Sequence, residues 1–346
     1  YYRPGRISAC GSKIREDFMP DVLSGALKNL DNAGALDIAR LNMVEFALGV
    51  TGHNEITGNV KNPWNPDHMT GGSSSGSGSM VAARATFGAL GSDTGGSVRL
   101  PAACCGVVGM KVTMGRVSRY GAMPLSFTLD TVGPLTRTIR DNAMMLAALA
   151  GYDDNDPSSA NVPVDDYLAG LETGVKGLKV GIPTSHFFDD ISPELGDRFT
   201  AAVDVLKAAG ANIVDVDLPE RIVVTNALTS LITASEGAAL HQHWLETRGD
   251  DYGVQTFGRF AGGLATPASR YVQALNLRTE LLAEFNEMVF GAADVMMTPM
   301  MIMDVPTIAA ADVGADAKAA AMLSKVGHCS RPVNFLGLPG LAVPSG

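Results

Sequence analysis

The sequence of 346 residues is poor in basic side chains and in charge overall. It has 26 Lys and Arg against 36 Asp and Glu, a net charge of −10, and no basic run. Nucleic-acid surfaces depend on clustered Lys and Arg, so we expect no nucleic-acid partner. The same acidity disfavours anionic membranes, and we expect no membrane partner. Because apolar residues make up 46% and charged residues only 18%, the chain is predicted to fold around a large core.

Cysteine is scarce too, and no run of 18 or more apolar residues occurs. The cysteines form no CxxC pair and no His/Cys cluster, so the sequence predicts neither a metal site nor a disulfide framework. We expect reduced, buried thiols, which suits a cytoplasmic location. The lack of a long apolar run predicts no transmembrane helix, and nothing indicates a cofactor. The four cysteines are Cys10, Cys104, Cys105 and Cys329.

Hydrophobic periodicity predicts strands that alternate with helices, which is typical of a layered α/β domain. No internal repeat and no clean linker occurs, so we expect one domain. Residues 91–99 are too rich in glycine for a helix or a regular strand. The predicted strands are 36–41, 107–112, 178–182, 211–218, 295–299 and 341–344. The predicted helices are 20–35, 42–49, 80–89, 138–150, 194–209, 223–245 and 268–290.

Glycine and serine are concentrated in two loops, 71–79 and 95–97, on either side of one short helix. Composition alone suits a flexible linker, but both flanks have the patterns of ordered structure and a linker explains no second loop. A phosphate cradle at a helix start is another interpretation. It lacks the Gly-Lys-Ser/Thr sequence and the G-x-G-x-x-G sequence that such cradles use.

A nucleophile elbow is a third interpretation, because residues 72–76 fit G-x-S-x-G with Ser74 as the nucleophile. That motif needs a buried strand immediately before it, whereas the sequence NPWNPDHMT precedes it here. A triad would also need a histidine, and no motif marks out any of the six. An esterase that uses Ser74 is therefore the less favoured hypothesis.

A long contiguous match favours a fourth interpretation. The stretch GGSSSGSGSMVAARATFGALGSDTGGSVRLPAACCGVVGMKVTMGRVSRYG closely resembles the amidase signature. Similar pieces lie around it in the same order, LNMVEFALG and GNVKNPWNP before it and DTVGPLTRTIRD, DVMMTP and NFLGLPGLAVP after it. The resemblance implies one amidase signature domain over 1–346 with its Gly/Ser-rich core at about 70–120. Its fold is α/β, a single layered domain with a central mixed β-sheet covered by helices.

The family uses a Ser–Ser–Lys triad. The resemblance implies that Ser97, in Asp-x-Gly-Gly-Ser, is the nucleophile, and that Ser73, 24 positions earlier, is the bridging proton relay after a cis peptide bond. A serine hydroxyl is a weak nucleophile that must lose its proton as it attacks. Ser73 can pass that proton to a neutral lysine, because burial keeps a lysine neutral.

The resemblance also implies an oxyanion hole of backbone N–H groups in the second loop. Glycines there let the chain approach the substrate closely, and preorganised donors stabilise the tetrahedral intermediate. The donors would be those of Thr94, Gly95, Gly96 and Ser97. Four residues are expected to support the loops, the last two as a structural ion pair: Gly72, Ser74, Asp93 and Arg99.

The catalytic lysine is the one departure from the family pattern. The pattern places it three positions before Tyr1, outside the sequence. Three lysines precede the first Ser/Gly loop without the expected neighbours, and we expect them on the surface: Lys13, Lys28 and Lys61. We therefore interpret the sequence as a fragment that lacks both ends of the fold, and we expect little or no activity from the chain as written.

The resemblance thus predicts an amidase that hydrolyses a carboxylic amide to an acid plus ammonia or an amine, through a Ser97 acyl-enzyme and without a cofactor. The expected partner is a small-molecule amide substrate, and a homodimer is a further expectation. Two alternatives stay open. One is the A-type glutaminase subunit of a tRNA-dependent amidotransferase, which needs a partner protein. The other is a non-catalytic protein on the same fold, which would lack the lysine.

Overall fold

The strands of the computed structural model, which describes residues 1–312 and 317–345, form two hydrogen-bonded sheets. They are β1 (Gly88–Asp93), β2 (Val108–Lys111), β3 (Thr131–Thr136), β4 (Lys179–Pro183), β5 (Asn212–Val216), β6 (Val295–Met296) and β7 (Gly340–Ala342). The first sheet has the order β1–β3–β2–β7 with antiparallel neighbours. The second has the order β5–β4–β6 with parallel neighbours.

Helices cover these sheets and connect their strands. They are α1 (Gly25–Asn32), α2 (Ser75–Ala82), α3 (Arg99–Cys105), α4 (Ile139–Leu149), α5 (Pro193–Ala208), α6 (Thr225–Thr247), α7 (Val254–Leu264), α8 (Ala268–Phe285), α9 (Ala317–Val326) and α10 (Arg331–Phe335). Short 3-10 segments lie at Lys13–Arg15, Glu45–Ala47, Glu220–Val224 and Gly249–Asp251, and a π-helical turn, Asn286–Phe290, extends α8.

The antiparallel sheet packs against α2 and α3 through small apolar side chains. Val81, Val98, Ala102 and Leu135 are all fully buried in one cluster. Close packing of this kind loses stability when even one methylene changes. Because β1 pairs with β3 up to Asp93, the sheet ends where the second Gly/Ser loop begins and thereby positions it.

The parallel sheet has a larger core with α6, α8 and α10. Its fully buried members include Phe187, Ile232, Phe285 and Phe335. Full burial of a large apolar side chain stabilises the fold by roughly 1.5–3 kcal/mol. This core therefore fixes α6 and α10, the two helices that flank the second Gly/Ser loop.

The predicted fold class, a layered α/β domain, is confirmed, with the antiparallel and parallel strands in separate sheets. The predictions for α1, α4, α5, α6, α8, β2, β4, β5 and β7 agree with the structure to within a few residues, except that α1 is shorter than 20–35. The strand predicted at 295–299 is present over two residues only. All four cysteines are free thiols, as predicted, although Cys10 is only partly buried.

Three predicted elements are wrong. Residues 36–41 form no strand, and their apolar side chains Leu36 and Ile38 are 87% and 67% exposed. The helix predicted at 42–49 is only the 3-10 turn at Glu45–Ala47. The helix predicted at 80–89 begins earlier, at Ser75, and ends at Ala82, because buried contacts override the low helix propensity of glycine and serine.

Six elements escaped prediction: β1, β3, α3, α7, α9 and α10. The expectation that residues 91–99 are too rich in glycine for a helix or a regular strand is wrong at both ends, since residues 91–93 belong to β1 and α3 begins at Arg99. Strand β3, TVGPLT, is buried at all six positions, so its side chains show no alternation of apolar and polar residues. Within residues 1–312 and 317–345, no helix is both long and apolar enough to cross a lipid bilayer.

Candidate active site

The first Gly/Ser loop becomes helical halfway along, where α2 begins. Gly71 has a φ of +70°, and a Cβ on it would lie 2.9 Å from the Leu100 backbone, so a glycine is required there. The Gly72–Ser73 peptide bond is cis, as the resemblance implies. Ser73 is 0% exposed, and its carbonyl oxygen accepts a hydrogen bond from the Val44 N–H at 3.1 Å.

Ser97 lies in the connection between β1, which ends at Asp93, and α3, which begins at Arg99. Only 5% of its surface is exposed. The Ser74 N–H donates a hydrogen bond to the Ser97 carbonyl oxygen at 3.3 Å. The two loops that the sequence singled out therefore lie against each other.

The hydroxyl groups of the two predicted catalytic serines are not hydrogen-bonded to each other. Ser73 Oγ is buried and has no hydrogen-bond partner in the described part of the chain. A buried polar group without a partner costs about 1–3 kcal/mol, and such a group in a native fold needs a reason. A proton-relay role supplies one, and the relay itself stays a prediction.

The expected ion pair between Asp93 and Arg99 is present below the second loop. The two side chains are 0% and 3% exposed, and Arg99 Nε lies 3.0 Å from Asp93 Oδ2. Asn334 bonds both partners, through Nδ2 to Asp93 Oδ1 at 2.7 Å and through Oδ1 from Arg99 Nη2 at 2.7 Å. Burial would raise the pKa of Asp93, but the Arg99 guanidinium holds that pKa well below its ordinary value.

One of the four predicted oxyanion donors is already engaged. The Gly96 N–H donates to Asp93 Oδ1 at 2.8 Å, so the prediction for Gly96 needs correction, since an N–H bound to a carboxylate is not free for the substrate. Among the described residues, the backbone N–H groups of Thr94, Gly95 and Ser97 donate no hydrogen bond. The candidate donors of the predicted oxyanion hole are therefore these three N–H groups.

The side chain of Thr94 anchors the same loop on its other side. Thr94 Oγ1 donates to Asp130 Oδ1 at 2.5 Å, while Asp130 Oδ2 accepts the N–H groups of Leu125 and Ser126 at 2.8 and 2.9 Å. Burial raises the pKa of Asp130, against the effect of these hydrogen bonds. The loop is thus held by two buried carboxylates, Asp93 and Asp130.

Ser74 has a structural role, which disfavours the nucleophile-elbow hypothesis. Its Oγ accepts the Ser92 N–H at 3.2 Å and lies 3.4 Å from the Ser92 carbonyl oxygen. It therefore ties the start of α2 to β1, as expected of a loop-supporting residue. In the described residues, no histidine hydrogen-bonds to Ser73, Ser74 or Ser97.

Comparison with known proteins decides the family. A family model described as Amidase matches residues 5–346. The chain belongs to the amidase family. The predicted enzyme class, a hydrolase acting on amide C–N bonds, is thereby confirmed. The chain is 37% identical to the A-type subunit of the glutamyl-tRNA(Gln) amidotransferase of Geobacter sp. (strain M21), covering 98% of this chain and 73% of the relative.

Solved structures of similar sequence share the fold of this amidase. The chain resembles the corresponding A-type subunit of the Thermotoga maritima glutamyl-tRNA(Gln) amidotransferase with a TM-score of 0.87 and 32% identity, covering 99% of this chain and 74% of that one. It also resembles a chain from an inhibitor-bound vestigial protein complex related to an s-triazine catabolic enzyme. That match has a TM-score of 0.90 and 30% identity, and it covers 98% of this chain and 73% of the other.

Four lysines of this amidase differ sharply in burial. Lys13, Lys28 and Lys61 are exposed, as predicted. Lys111, which no sequence motif singled out, is 1% exposed. Its Nζ donates to the carbonyl oxygens of Leu338 and Val112 at 2.8 and 3.2 Å. Burial lowers the pKa of Lys111 to about 7, against the attraction of Asp93, but Ser73 is not among its hydrogen-bond partners.

A cavity of about 290 Å³ opens beside α6 and is lined in part by Phe127, Glu236 and Tyr271. Glu236 is 3% exposed and accepts hydrogen bonds from Tyr271 Oη at 2.6 Å and from Thr128 Oγ1 at 2.8 Å. Burial and the neighbouring Glu236 raise the pKa of Tyr271 to about 12. Tyr271 is thus an un-ionised donor at neutral pH.

Helix α6 lines this cavity and also contacts the second Gly/Ser loop. A Cβ on Gly95 would lie 3.9 Å from Thr229 Cγ2, and Thr229 and Glu236 are seven positions apart on α6, which places them on one face. Glu236 escaped prediction, because an isolated carboxylate in a helix carries no motif. Within 1–312 and 317–345, no group of three or more His, Cys, Asp or Glu side chains could hold a metal ion.

Proposed function

We propose that this amidase cleaves a small or medium-sized carboxylic amide through an acyl-enzyme on Ser97. The packing of the two loops carries this proposal, with the Ser74 N–H bonded to the Ser97 carbonyl oxygen at 3.3 Å. Ser97 Oγ attacks the carbonyl carbon of the amide, and the C–N bond breaks as ammonia or an amine leaves with a proton. Water then hydrolyses the ester and releases the acid.

Ser73 is the proposed relay for the proton that Ser97 loses. Its buried Oγ can accept that proton as it passes its own to a base. We propose that the base is the lysine that the family pattern places before Tyr1. Tyr1 Oη donates to the Gly91 carbonyl oxygen at 2.6 Å, and a Cβ on Gly91 would lie 2.7 Å from Ser74 Oγ. The side chain of Tyr1 therefore reaches β1 at the position that packs against the first Gly/Ser loop.

The tetrahedral oxyanion is proposed to bind the backbone N–H groups of Thr94, Gly95 and Ser97. Loss of one such donor typically lowers kcat by about 10²–10³-fold. The buried anchors Asp93 and Asp130 hold the loop before substrate arrives, so little reorganisation is needed when charge develops on the oxygen.

Glutaminase activity is the second candidate function. It is favoured by the 37% identity with the A-type subunit of a glutamyl-tRNA(Gln) amidotransferase. Ammonia release from free glutamine, measured with and without a candidate partner protein, separates it from simple amide hydrolysis. Glutamine turnover that depends on the partner supports the glutaminase, whereas turnover of aliphatic or aryl amides by the protein alone supports the amidase. A homodimer and a cytoplasmic location stay predictions.

A fluorophosphonate probe tests the assignment of the nucleophile in the full-length protein. We expect the probe to label the wild-type protein and to leave Ser97→Ala unlabelled. Ser74→Ala is the matched control, because Ser74 is a buried serine of the neighbouring loop with its hydroxyl bonded to β1. Labelling that persists in Ser97→Ala and disappears in Ser74→Ala would instead establish the esterase hypothesis.

A further inference from the structure

Ser330 is a buried serine that the proposed mechanism does not use. It is 0% exposed and occupies the N-cap position of α10. A serine at that position usually accepts an N–H hydrogen bond from its own helix, but Ser330 makes no such bond. Its Oγ instead lies 2.7 Å from the Gly95 carbonyl oxygen and 3.1 Å from that of Gly327. Since a serine hydroxyl has one proton, the shorter contact identifies Gly95 as the better acceptor.

The Gly95–Gly96 peptide group is held from both sides. Ser330 binds its carbonyl oxygen, and Asp93 accepts its N–H at 2.8 Å. The next peptide group is held at the Gly96 carbonyl oxygen by the Leu100 N–H at 2.7 Å. The C=O and N–H of a trans peptide point in opposite directions. The bond from the Leu100 N–H to the Gly96 carbonyl oxygen therefore directs the Ser97 N–H away from α3.

Glycine pairs need such anchors more than other sequences do. Gly95 and Gly96 have wide freedom in φ and ψ, so without anchors on the Gly95–Gly96 peptide plane the N–H groups of Gly95 and Ser97, which lie on either side of it, could change their directions relative to each other. Ser330 packs directly on that plane, since a Cβ on Gly96, whose φ is +122°, would lie 2.4 Å from Ser330 Oγ.

We propose that Ser330 is a positioning residue for the oxyanion hole. By holding the Gly95 carbonyl oxygen, it fixes the peptide plane that connects the Gly95 and Ser97 donors and keeps their free N–H groups aligned on the carbonyl oxygen of the substrate, together with the Leu100 bond to the Gly96 carbonyl oxygen. This inference rests on the proposed function, because it assumes attack by Ser97 and stabilisation of an oxyanion by this loop.

The test compares Ser330→Ala with wild type in the full-length protein on one amide substrate. We expect kcat to fall about tenfold to a hundredfold, since misaligned donors stabilise the transition state less. KM should change by less than about twofold, because the donors act on the transition state. Phosphonylation of Ser97 by the probe should slow in parallel. Ser330→Thr, which keeps the hydroxyl, should be clearly faster than Ser330→Ala.

Ser24→Ala is the matched control. Ser24 is also 0% exposed and caps α1, where its Oγ accepts the Leu27 N–H at 3.3 Å. We expect Ser24→Ala to lower the melting temperature of the protein without lowering kcat. Three results would each overturn the inference, provided that Ser97 is labelled in the wild-type protein. These are an unchanged kcat in Ser330→Ala, an equal loss of kcat in Ser24→Ala, and a kcat for Ser330→Thr no higher than that of Ser330→Ala. Wild-type protein without Ser97 labelling refutes the proposed function instead.

Discussion

Asp93→Asn is expected to damage stability and activity together. The Asp93 carboxylate accepts the N–H groups of Gly96 and Val98 and pairs with Arg99 at 0% and 3% exposure. Asparagine keeps one acceptor oxygen but turns an amide N–H₂ toward these donors. It also leaves the buried Arg99 guanidinium without a counter-charge. Breaking a buried pair in this way costs about 3–5 kcal/mol, a large part of the roughly 5–15 kcal/mol that stabilises a typical domain.

The assay for Asp93→Asn is urea unfolding followed by intrinsic fluorescence, together with the rate of fluorophosphonate labelling. Asp251→Asn is the control, because its pair with Arg248 is exposed by 40% on both sides and should contribute no more than about 1 kcal/mol. An unfolding free energy for Asp93→Asn as close to wild type as that of Asp251→Asn would refute the reasoning. The pair's contribution should also fade as the pH falls below the ordinary value of 3.8, since the folded pKa of Asp93 lies lower.

Three further predictions concern single side chains. Ser73→Ala should lower kcat by about 10²–10⁴-fold through loss of the relay. It should leave the free energy of unfolding unchanged or slightly raised, because the Ser73 hydroxyl has no hydrogen-bond partner among the described residues. A large loss of stability would contradict this prediction. Burial lowers the pKa of Lys111 from 10.5 to about 7, so its unfolded form binds more protons between these values and stability rises with pH, by at most about 1.4 kcal/mol per unit. Lys111→Met should flatten this rise of the unfolding free energy with pH, measured by urea unfolding at a series of pH values. An unchanged dependence on pH would contradict the lowered pKa of Lys111. We propose that the cavity beside α6, lined in part by Tyr271 and Glu236, receives the acyl group of the substrate. Tyr271→Phe removes a 2.6 Å hydrogen bond to Glu236 and should therefore alter KM across a series of acyl groups, whereas an identical substrate profile would exclude this cavity as the acyl site.

The two loops that carry the proposed catalytic serines could be predicted, because their composition and spacing are local features of the sequence. Ser73 and Ser97 each lie in a short Gly/Ser stretch, and the spacing between the stretches carried the family resemblance. The bond between Ser74 and Ser97 then followed from the fold. Local composition misled, however, at Ser75, where a helix begins inside a segment that resembles a linker.

Two anchors of the second Gly/Ser loop, Ser330 and Asn334, could not be predicted, because they come from distant parts of the chain. Ser330 and Asn334 lie more than 230 positions beyond the residues they hold. The sequence segment NFLGLPGLAVP marked the neighbourhood of Asn334 as family-like, but no local pattern indicated which side chain would point at Asp93. Lys111 was missed for a related reason, since burial of a lysine depends on tertiary packing and not on its neighbours in sequence.

The most direct measurement is the mass of the peptide that carries Ser97 after rapid acid quench of the full-length protein during turnover of a slow amide or activated ester. We predict a mass increase equal to the acyl group on Ser97, absent in Ser97→Ala and unaffected in Ser77→Ala, whose hydroxyl is bonded to the Leu90 carbonyl oxygen. Acylation of a different residue, or steady turnover with no acylated peptide under conditions where deacylation limits the rate, would contradict it.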